Sequence, residues 1–497
     1  MPENHTTPRP ANPADWASLQ KAAAIINRAC REKRGIAIWG HDDIDGIASV
    51  AIMLDALRGK TEVIYYIPPK SVTHYGLDRE VIDQLLARGA SLLITVDSGI
   101  SSIDEAEYAA AKGLELIITD HHELPPRLPK AVCLLNPKIP EEGRPTPHLA
   151  GAGVALYLAA AMDGESREDW LNQHPQRTAW AALATVTDRV PMTSENWHIV
   201  RSGLGFIDGN EVIGRLNDLL GISSEQGLSP RIISQTYVSL LSSGISQGFR
   251  HETLELLQGD FDPQHWQELY SEEQLWLNRM EEQVAAKTEK ALADPNPLKV
   301  LEDDQLPWSL VGPVAGGVRD RTGLPVIILG RKNGLTAGEC RGFEPFDFVA
   351  LLNELKRFFL QHGGHKPAAG FTVLEGREKE LIEALRKYGT KDPALILKAK
   401  PSKKTDHKLV RLSEIDAALP EILLRAPFGP ANQPPVCEFD NLLLPKYSQP
   451  GDRYWLRYLM ASQKNQDFVS CKCRCTLDVT HKDIFYLDIL ELKANKY

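Results

Sequence analysis

Three short segments of the chain carry imidazole and carboxylate groups at spacings that suit divalent metal ions. His41-Asp42-Asp43-Ile44-Asp45-Gly46 follows the apolar run Ile36-Ala37-Ile38-Trp39. If extended geometry continues past that run, residues 41, 43 and 45 project to one side, and Gly46 permits the turn into a helix. Taken alone, such a hexapeptide is as often a solvated acidic turn. Repetition changes the reading. A second apolar run ends in Val96-Asp97-Ser98-Gly99-Ile100, a third in Thr119-Asp120-His121-His122, and Asp188 follows Ala184-Thr185-Val186-Thr187. Acids gathered at one end of several strands repel one another unless something positive sits between them. A pair of divalent cations is the economical solution. Mixed imidazole and carboxylate ligands favour Mn2+, Fe2+ or Zn2+ over Mg2+. Two such ions at ~3.5–4 Å can share a water and clamp both oxygens of a phosphoryl transfer.

The elements that must position these groups are legible around them. Ile36–Trp39, Val63–Ile67, Leu92–Val96, Leu116–Thr119 and Ala131–Leu135 read as buried strands, with helices over Ile47–Arg58, Asp78–Arg88 and Ile103–Lys112 between them. Alternation of that kind means a parallel α/β sheet, whose sites form at the carboxyl ends of strands. From Gly151 to Asp294 the chain is mostly helical, with a long charged helix over Glu272–Ala293. A second α/β pattern begins near Leu310, with Pro325–Leu329 as its clearest strand, and closes near Tyr388. From Val436 onward, short strands over Tyr454–Met460, Phe468–Cys475 and Ile484–Leu492 fit a small β barrel.

The 497 residues are enough for two to four domains. With 56 Lys and Arg against 66 Asp and Glu, the net charge of −10 excludes a surface that coats nucleic acid by bulk positive charge. Any nucleic-acid site has to be locally basic. Seven scattered cysteines make no disulfide framework, which points to the reducing cytoplasm. There is no apolar run long enough to span a membrane, and the polar start Met1-Pro2-Glu3-Asn4 reads as neither signal nor anchor.

Together, HxDxDG, VDSGI, TDHH and the later Asp188 resemble the four motifs of the DHH phosphoesterase superfamily. Tyr66–Lys70 with His74–Leu77, Leu135–Lys138 and Leu149–Ala155 resemble segments of its RecJ-type exonuclease branch. Gly363-Gly364-His365-Lys366-Pro367-Ala368-Ala369-Gly370 is similar to the DHHA1 signature, and Leu424–Pro434 to the entrance of an OB-type domain. The resemblance implies one metal held by His41, Asp43 and Asp97, and a second held by Asp45, Asp97, His121 and Asp188, with Asp97 bridging. It casts Asp120 as the group orienting its neighbours and His122 as the group facing the phosphate. His41 stands where many bacterial RecJ proteins carry Asp, and Lys70 where the family usually has Arg, keeping a charge but losing the bidentate fork. The expected cofactors are two divalent ions, Mn2+ first and Mg2+ as the alternative.

The same resemblance implies a 5′→3′ exonuclease that releases mononucleotides from single-stranded DNA in repair, recombination or replication. RNA stays open as a substrate, and a replication or repair protein as a partner. The competing readings are a small-substrate phosphodiesterase and a replication-fork scaffold. The implied layout is a tail (1–14), a DHH catalytic domain (15–208), a helical connector (209–297), a DHHA1 substrate-binding domain (298–392), and a basic linker with an OB-like domain (393–497). In the DHHA1 part, Gly363, Gly364 and His365 read as a loop open to a phosphate, with Arg341 as a phosphate fork and Lys70 as a further substrate contact. Between Lys398 and Arg411, six basic residues against one acid read equally as a steering patch or a solvated linker. Tyr454, Trp455, Tyr458 and Phe468 are candidate base-stacking platforms or plain core. Cys471, Cys473 and Cys475 share one strand face and read as packing residues. Everything after about Pro393 reads as an added, separable module.

Overall fold

The computed structural model describes residues 10–69, 76–166, 169–223, 225–332, 334–343, 346–391, 422–445, 448–449, 453–456 and 468–494. The chain forms two compact units, Met1–Tyr270 with His407–Tyr497, and Ser271–Asp406.

The first unit opens with α1 (Ala17–Arg31), then alternates β1 (Gly35–Trp39), α2 (Ile44–Leu57), β2 (Val63–Tyr66), α3 (Arg79–Ala87), β3 (Ala90–Thr95), α4 (Ile103–Ala111), β4 (Glu115–Thr119) and β5 (Cys133–Leu135). All five strands are parallel, in the order β2-β1-β3-β4-β5. Strand pleating sends alternate side chains to opposite faces. Ile36, Ile38, Leu92 and Ile94 therefore join one core with α1 and α2, while Ala37, Trp39 and Leu93 join another with α3 and α4. Covering both faces makes the strands continuously apolar, the feature that marks them in the sequence. The chain runs outward from β1 to β2 and then returns to β3 on the other side of β1. That reversal opens a crevice at the carboxyl ends of β1 and β3, where open α/β sheets bind ligands.

A helical layer follows: α5 (Gly151–Asp163), α6 (Pro175–Thr187), α7 (Ser194–Asp208), α8 (Glu211–Leu220), α9 (Pro230–Ser242) and α10 (Glu252–Leu257). Twelve of the thirteen residues of α5 are buried, and a helix apolar all round belongs inside a core. Proline in the first turn starts α6 and α9, and the Ser229 hydroxyl accepts from Ile232 N to cap α9.

After α11 (Pro263–Ala293), the second unit is built on β6 (Lys299–Glu302), α12 (Trp308–Thr322), β7 (Val326–Lys332), β8 (Leu335–Arg341), α13 (Phe348–Glu354), β9 (Phe359–His365), β10 (Ala368–Val373) and α14 (Glu378–Lys391). Its sheet runs β6-β7-β8-β10-β9, parallel only between β6 and β7. The strand β6 lies ahead of the start expected at Leu310. Four residues with Lys at one end and Glu at the other give it no strand period to read.

The remaining strands, β11 (Val436–Pro445), β12 (Arg453–Trp455), β13 (Phe468–Val479) and β14 (Phe485–Ala494), form an antiparallel sheet in the order β11-β13-β14-β12, consistent with an OB-like domain. Cys471, Cys473 and Cys475 are buried in its core, and Cys437 pairs across from Cys475. Burial pushes the Cys437 thiol up to about 11, so these groups pack rather than react. The sheet is not a free appendage. It belongs to the first unit, through Trp197 Nε1 donating to Arg425 O at 3.0 Å, Met192 N to Pro430 O at 2.7 Å and Ser229 Oγ to Asp478 at 2.8 Å. A cut near Pro393 would strip that cover. The basic stretch 398–411 and Tyr458 lie outside the described residues.

Candidate metal centre

His41 and Asp97 leave the ends of β1 and β3, and Asp120, His121 and His122 follow β4. The expected extended run through residue 45 does not occur. Asp43 is the N-cap of α2, its Oδ1 accepting from Gly46 N at 2.8 Å, and Asp45 already lies in the first helical turn. The turn, not a strand pleat, brings the three side chains together. It is so tight that a Cβ on Gly46 would sit 2.5 Å from His41 O, which is why glycine stands there. Asp188 caps the C-terminus of the helix α6, within the region read as mostly helical.

Two clusters result. His41, Asp43 and Asp97 form one, and Asp45, His121 and Asp188 the other, with the ligand atoms of each within 4.8 Å of one another. His41 Nδ1 lies 3.0 Å from Asp43 Oδ2 and 3.9 Å from Asp97 Oδ2. His121 Nε2 lies 3.2 Å from Asp97 Oδ1, 3.7 Å from Asp45 and 3.8 Å from Asp188. Asp97 thus has one oxygen toward each cluster. It holds a left-handed backbone, φ 53°, that few side chains other than Asp and Asn adopt readily.

Electrostatics show what this arrangement lacks. Burial, then Asp188 and Asp43, raise the Asp45 carboxyl well above its usual range even though Gly151 N and Ala152 N donate to it at 2.7 Å. Burial and the surrounding acids do the same to Asp97, and burial with Asp43 lifts Asp188 to about 6. His121 is pushed down to about 4 by burial and by His122 nearby. At neutral pH it is therefore an uncharged imidazole with a lone pair available, facing three carboxylates. Burial works against charge on both His41 and Asp43, but their mutual hydrogen bond outweighs it, raising His41 and lowering Asp43. Asp97 Oδ1 and Asp188 Oδ2 are buried without a hydrogen-bond partner. Orphaned carboxylate oxygens opposite a neutral imidazole are what a divalent cation satisfies, so these residues fit a two-ion centre. A cavity of about 120 Å3 opens between Asp43, Asp45, Asp188 and the α9 residues Val238 and Ser242.

Asp120 is a member of neither ligand cluster. Its Oδ1 accepts from His121 N, His122 N and His122 Nδ1 at 2.7, 3.0 and 2.7 Å, and its Oδ2 from Ile100 N at 2.9 Å. That carboxylate fixes the double-histidine turn, and its hydrogen bond raises the pKa of His122, which is more than half exposed. The turn is also held from behind, by Asn136 Nδ2 on His122 O and Lys138 Nζ on His121 O. Three contributions were missed in the sequence. The N-terminus of α5 donates to Asp45, Lys138 braces His121, and His251 contacts Asp42. Only the first has a local sign, the Gly151-Ala152-Gly153 start: a Cβ on Gly151 would meet Asp97 Oδ1 at 2.5 Å.

In the second unit, Gly363-Gly364-His365 is not a loop but the end of β9, paired with β10 across the Lys366-Pro367 turn. Gly363 lines a cavity of about 230 Å3 with Trp308, Lys332, Glu339 and Gln361. Arg341 is held by Glu339, Nη1 to Oε2 at 2.8 Å. Lys70 lies outside the described residues.

Paired imidazole–carboxylate clusters at the switch point of a parallel sheet are the arrangement that the resemblance to DHH phosphoesterases leads one to expect. Residues 35–185 of the chain match the profile of the DHH family, N-terminal domain. Its relatives are RecJ proteins. It is 28% identical over 459 residues to the single-stranded-DNA-specific exonuclease RecJ of Bacillus subtilis, covering 87% of this chain and 55% of that protein. To the Escherichia coli RecJ it is 27% identical over 413 residues, covering 76% and 71%. The crystal structure of Thermus thermophilus RecJ in complex with Mn2+ superposes with a TM-score of 0.69 at 20% identity, covering 97% of this chain and 72% of that one. The chain thus spans 55% to 72% of the length of these relatives, and about half of the Bacillus subtilis protein. Among the described residues, no helix is long and apolar enough to cross a membrane.

Proposed function

We propose that this chain is a metal-dependent exonuclease that hydrolyses the phosphodiester bonds of single-stranded DNA. The observation that carries the reading is the pair of ligand clusters with one Asp97 oxygen turned toward each, set where an α/β sheet binds its ligands. One ion falls to His41, Asp43 and Asp97, the other to Asp45, Asp97, His121 and Asp188. Mn2+ is preferred for a mixed imidazole and carboxylate donor set, with Mg2+ second; both are named for the Thermus relative. When bound, such a pair supplies Lewis-acid activation of water and of the phosphoryl oxygens.

The chain's own residues do the rest. Asp120 holds the His122 imidazole by its Nδ1 proton and raises its pKa, which favours the charged ring whose Nε2–H is a donor for a non-bridging phosphate oxygen. The α5 N-terminus fixes both oxygens of Asp45 before any ion arrives. Residues 15–208 are assigned as the catalytic domain, 209–297 as the helical connector and 298–392 as a DHHA1-type domain. In that last domain Arg341, Gly363, Gly364 and His365 engage phosphates beyond the scissile bond, with Lys70 as a further contact. The stretch 393–497 is assigned to strand binding. The 5′→3′ polarity, release of mononucleotides, and a replication or repair partner follow from the family resemblance.

Digestion of 5′- and 3′-labelled DNA and RNA oligomers with Mn2+, Mg2+ or chelator tests the reading. Stepwise loss of the 5′ label from DNA in Mn2+, abolished by chelator, is expected. Cleavage confined to dinucleotides would move the assignment to a small-substrate phosphodiesterase, and chelator-resistant cleavage would remove the metal centre from the reaction.

A further inference from the structure

We infer that His251 is a positioning residue for the metal-binding loop, acting through Asp42; this rests on the metal centre proposed above. Asp42 lies between His41 and Asp43, two ligands assigned to the same ion, yet it belongs to neither ligand cluster. Its side chain is 8% exposed and that of His251 0%, and His251 Nε2 lies 2.9 Å from Asp42 Oδ1. The two residues are 209 positions apart.

The other ring nitrogen settles the tautomer. His251 is the N-cap of α10, and its Nδ1 accepts from Thr253 N at 3.1 Å. Nδ1 therefore carries the lone pair and Nε2 the proton, which is donated to Asp42. One imidazole both starts a helix and restrains the loop between two ligands. The strap around it is anchored to the same sheet. Ile67 N donates to Gly248 O at 2.9 Å and Ser246 Oγ to Ile67 O at 2.5 Å, while Gly40 N donates to Tyr66 O at 2.9 Å. The loop and the strap thus share the end of β2 as a common frame. Without the imidazole, a buried carboxylate loses its partner and turns toward water or toward the ions. Either movement drags the flanking His41 and Asp43 out of place. Groups that hold metal ligands in orientation typically govern 10–100-fold in affinity.

The two functions of the imidazole can be separated in the full chain. Asn at position 251 keeps an oxygen near Nδ1 and remains a good N-cap, but is too short to reach Asp42. Gln carries an amide nitrogen near the Nε2 position. Mn2+ titration by calorimetry should show His251→Asn binding about tenfold more weakly than wild type, with a metal-free melting temperature within a few degrees of it. His251→Gln should recover affinity to within about threefold. Wild-type affinity in His251→Asn, or no recovery in His251→Gln, overturns the positioning role. Should His251→Asn fail to fold, Asp42→Ala reports the same bridge from its other end, and unchanged affinity there overturns it equally. A wild-type chain that binds no Mn2+ instead overturns the metal centre itself.

Discussion

Asp188→Asn should stabilise the metal-free protein, and only where the carboxylate would be ionised. Burial and Asp43 hold the Asp188 carboxyl at about 6, against an ordinary 3.8. Because the folded pKa is the raised one, the folded chain holds this proton more tightly than the unfolded chain. Stability is therefore highest at acid pH and is lost as pH rises from about 4 to about 6. Two units at about 1.36 kcal/mol each put the full cost near 3 kcal/mol above pH 7. The amide keeps the shape and loses the charge. In chelator, Asp188→Asn should melt about 3–6 °C above wild type at pH 8 and nearly level with it at pH 4. Saturating Mn2+ should reverse the order, since about 2.7 kcal/mol accrues at one hundred times Kd to a protein that keeps all its ligands. Scanning fluorimetry at both pH values, with and without Mn2+, reads all four states. A metal-free variant no more stable than wild type at pH 8, or an equal gain at both pH values, would refute the claim that the centre is under charge repulsion.

Asp97→Ala should lose more bound metal than Asp43→Ala, because Asp97 presents an oxygen to each cluster; elemental analysis after dialysis measures it, and equal retention would end the bridging assignment. Arg341→Ala and His365→Ala should weaken strand binding roughly tenfold, the worth of a hydrogen bond to a charged group, with both metals retained; metal loss would show they belong to another site. Trp455, 44% exposed on the short strand β12, should act as a stacking platform. Trp455→Ala should weaken binding of a long single strand by ~1–3 kcal/mol while dinucleotide cleavage persists, as anisotropy titrations can show.

The parallel sheet and most of the residues that gather into the two clusters are readable because the same physics writes both. Strands covered on two faces are apolar throughout, so their ends are marked, and the ends are where the ligands stand. What could not be read is what depends on distant partners. That Asp45 receives the α5 N-terminus, that Arg341 is held by Glu339, and that His251 meets Asp42 leave no trace in local composition. The Gly363–Gly370 hairpin was mistaken for a loop because glycine-rich strands lack the side chains from which a period is read.

The first unit is discontinuous: residues 271–406 interrupt it, and its last strands come from beyond them. During synthesis at about 5–20 residues per second, roughly seven to twenty-seven seconds separate Tyr270 from His407. Over that interval the ribosome holds a chain with both acid–histidine clusters already made but with Met192, Trp197 and Leu228 lacking the partners they find at Pro430, Arg425 and His481. The intervening unit has its own core and can close meanwhile. A nascent chain paused in that window would display an apolar face beside a completed set of acids. Chaperone capture there, and early uptake of a divalent ion, would be decided by the order of translation before the protein is whole.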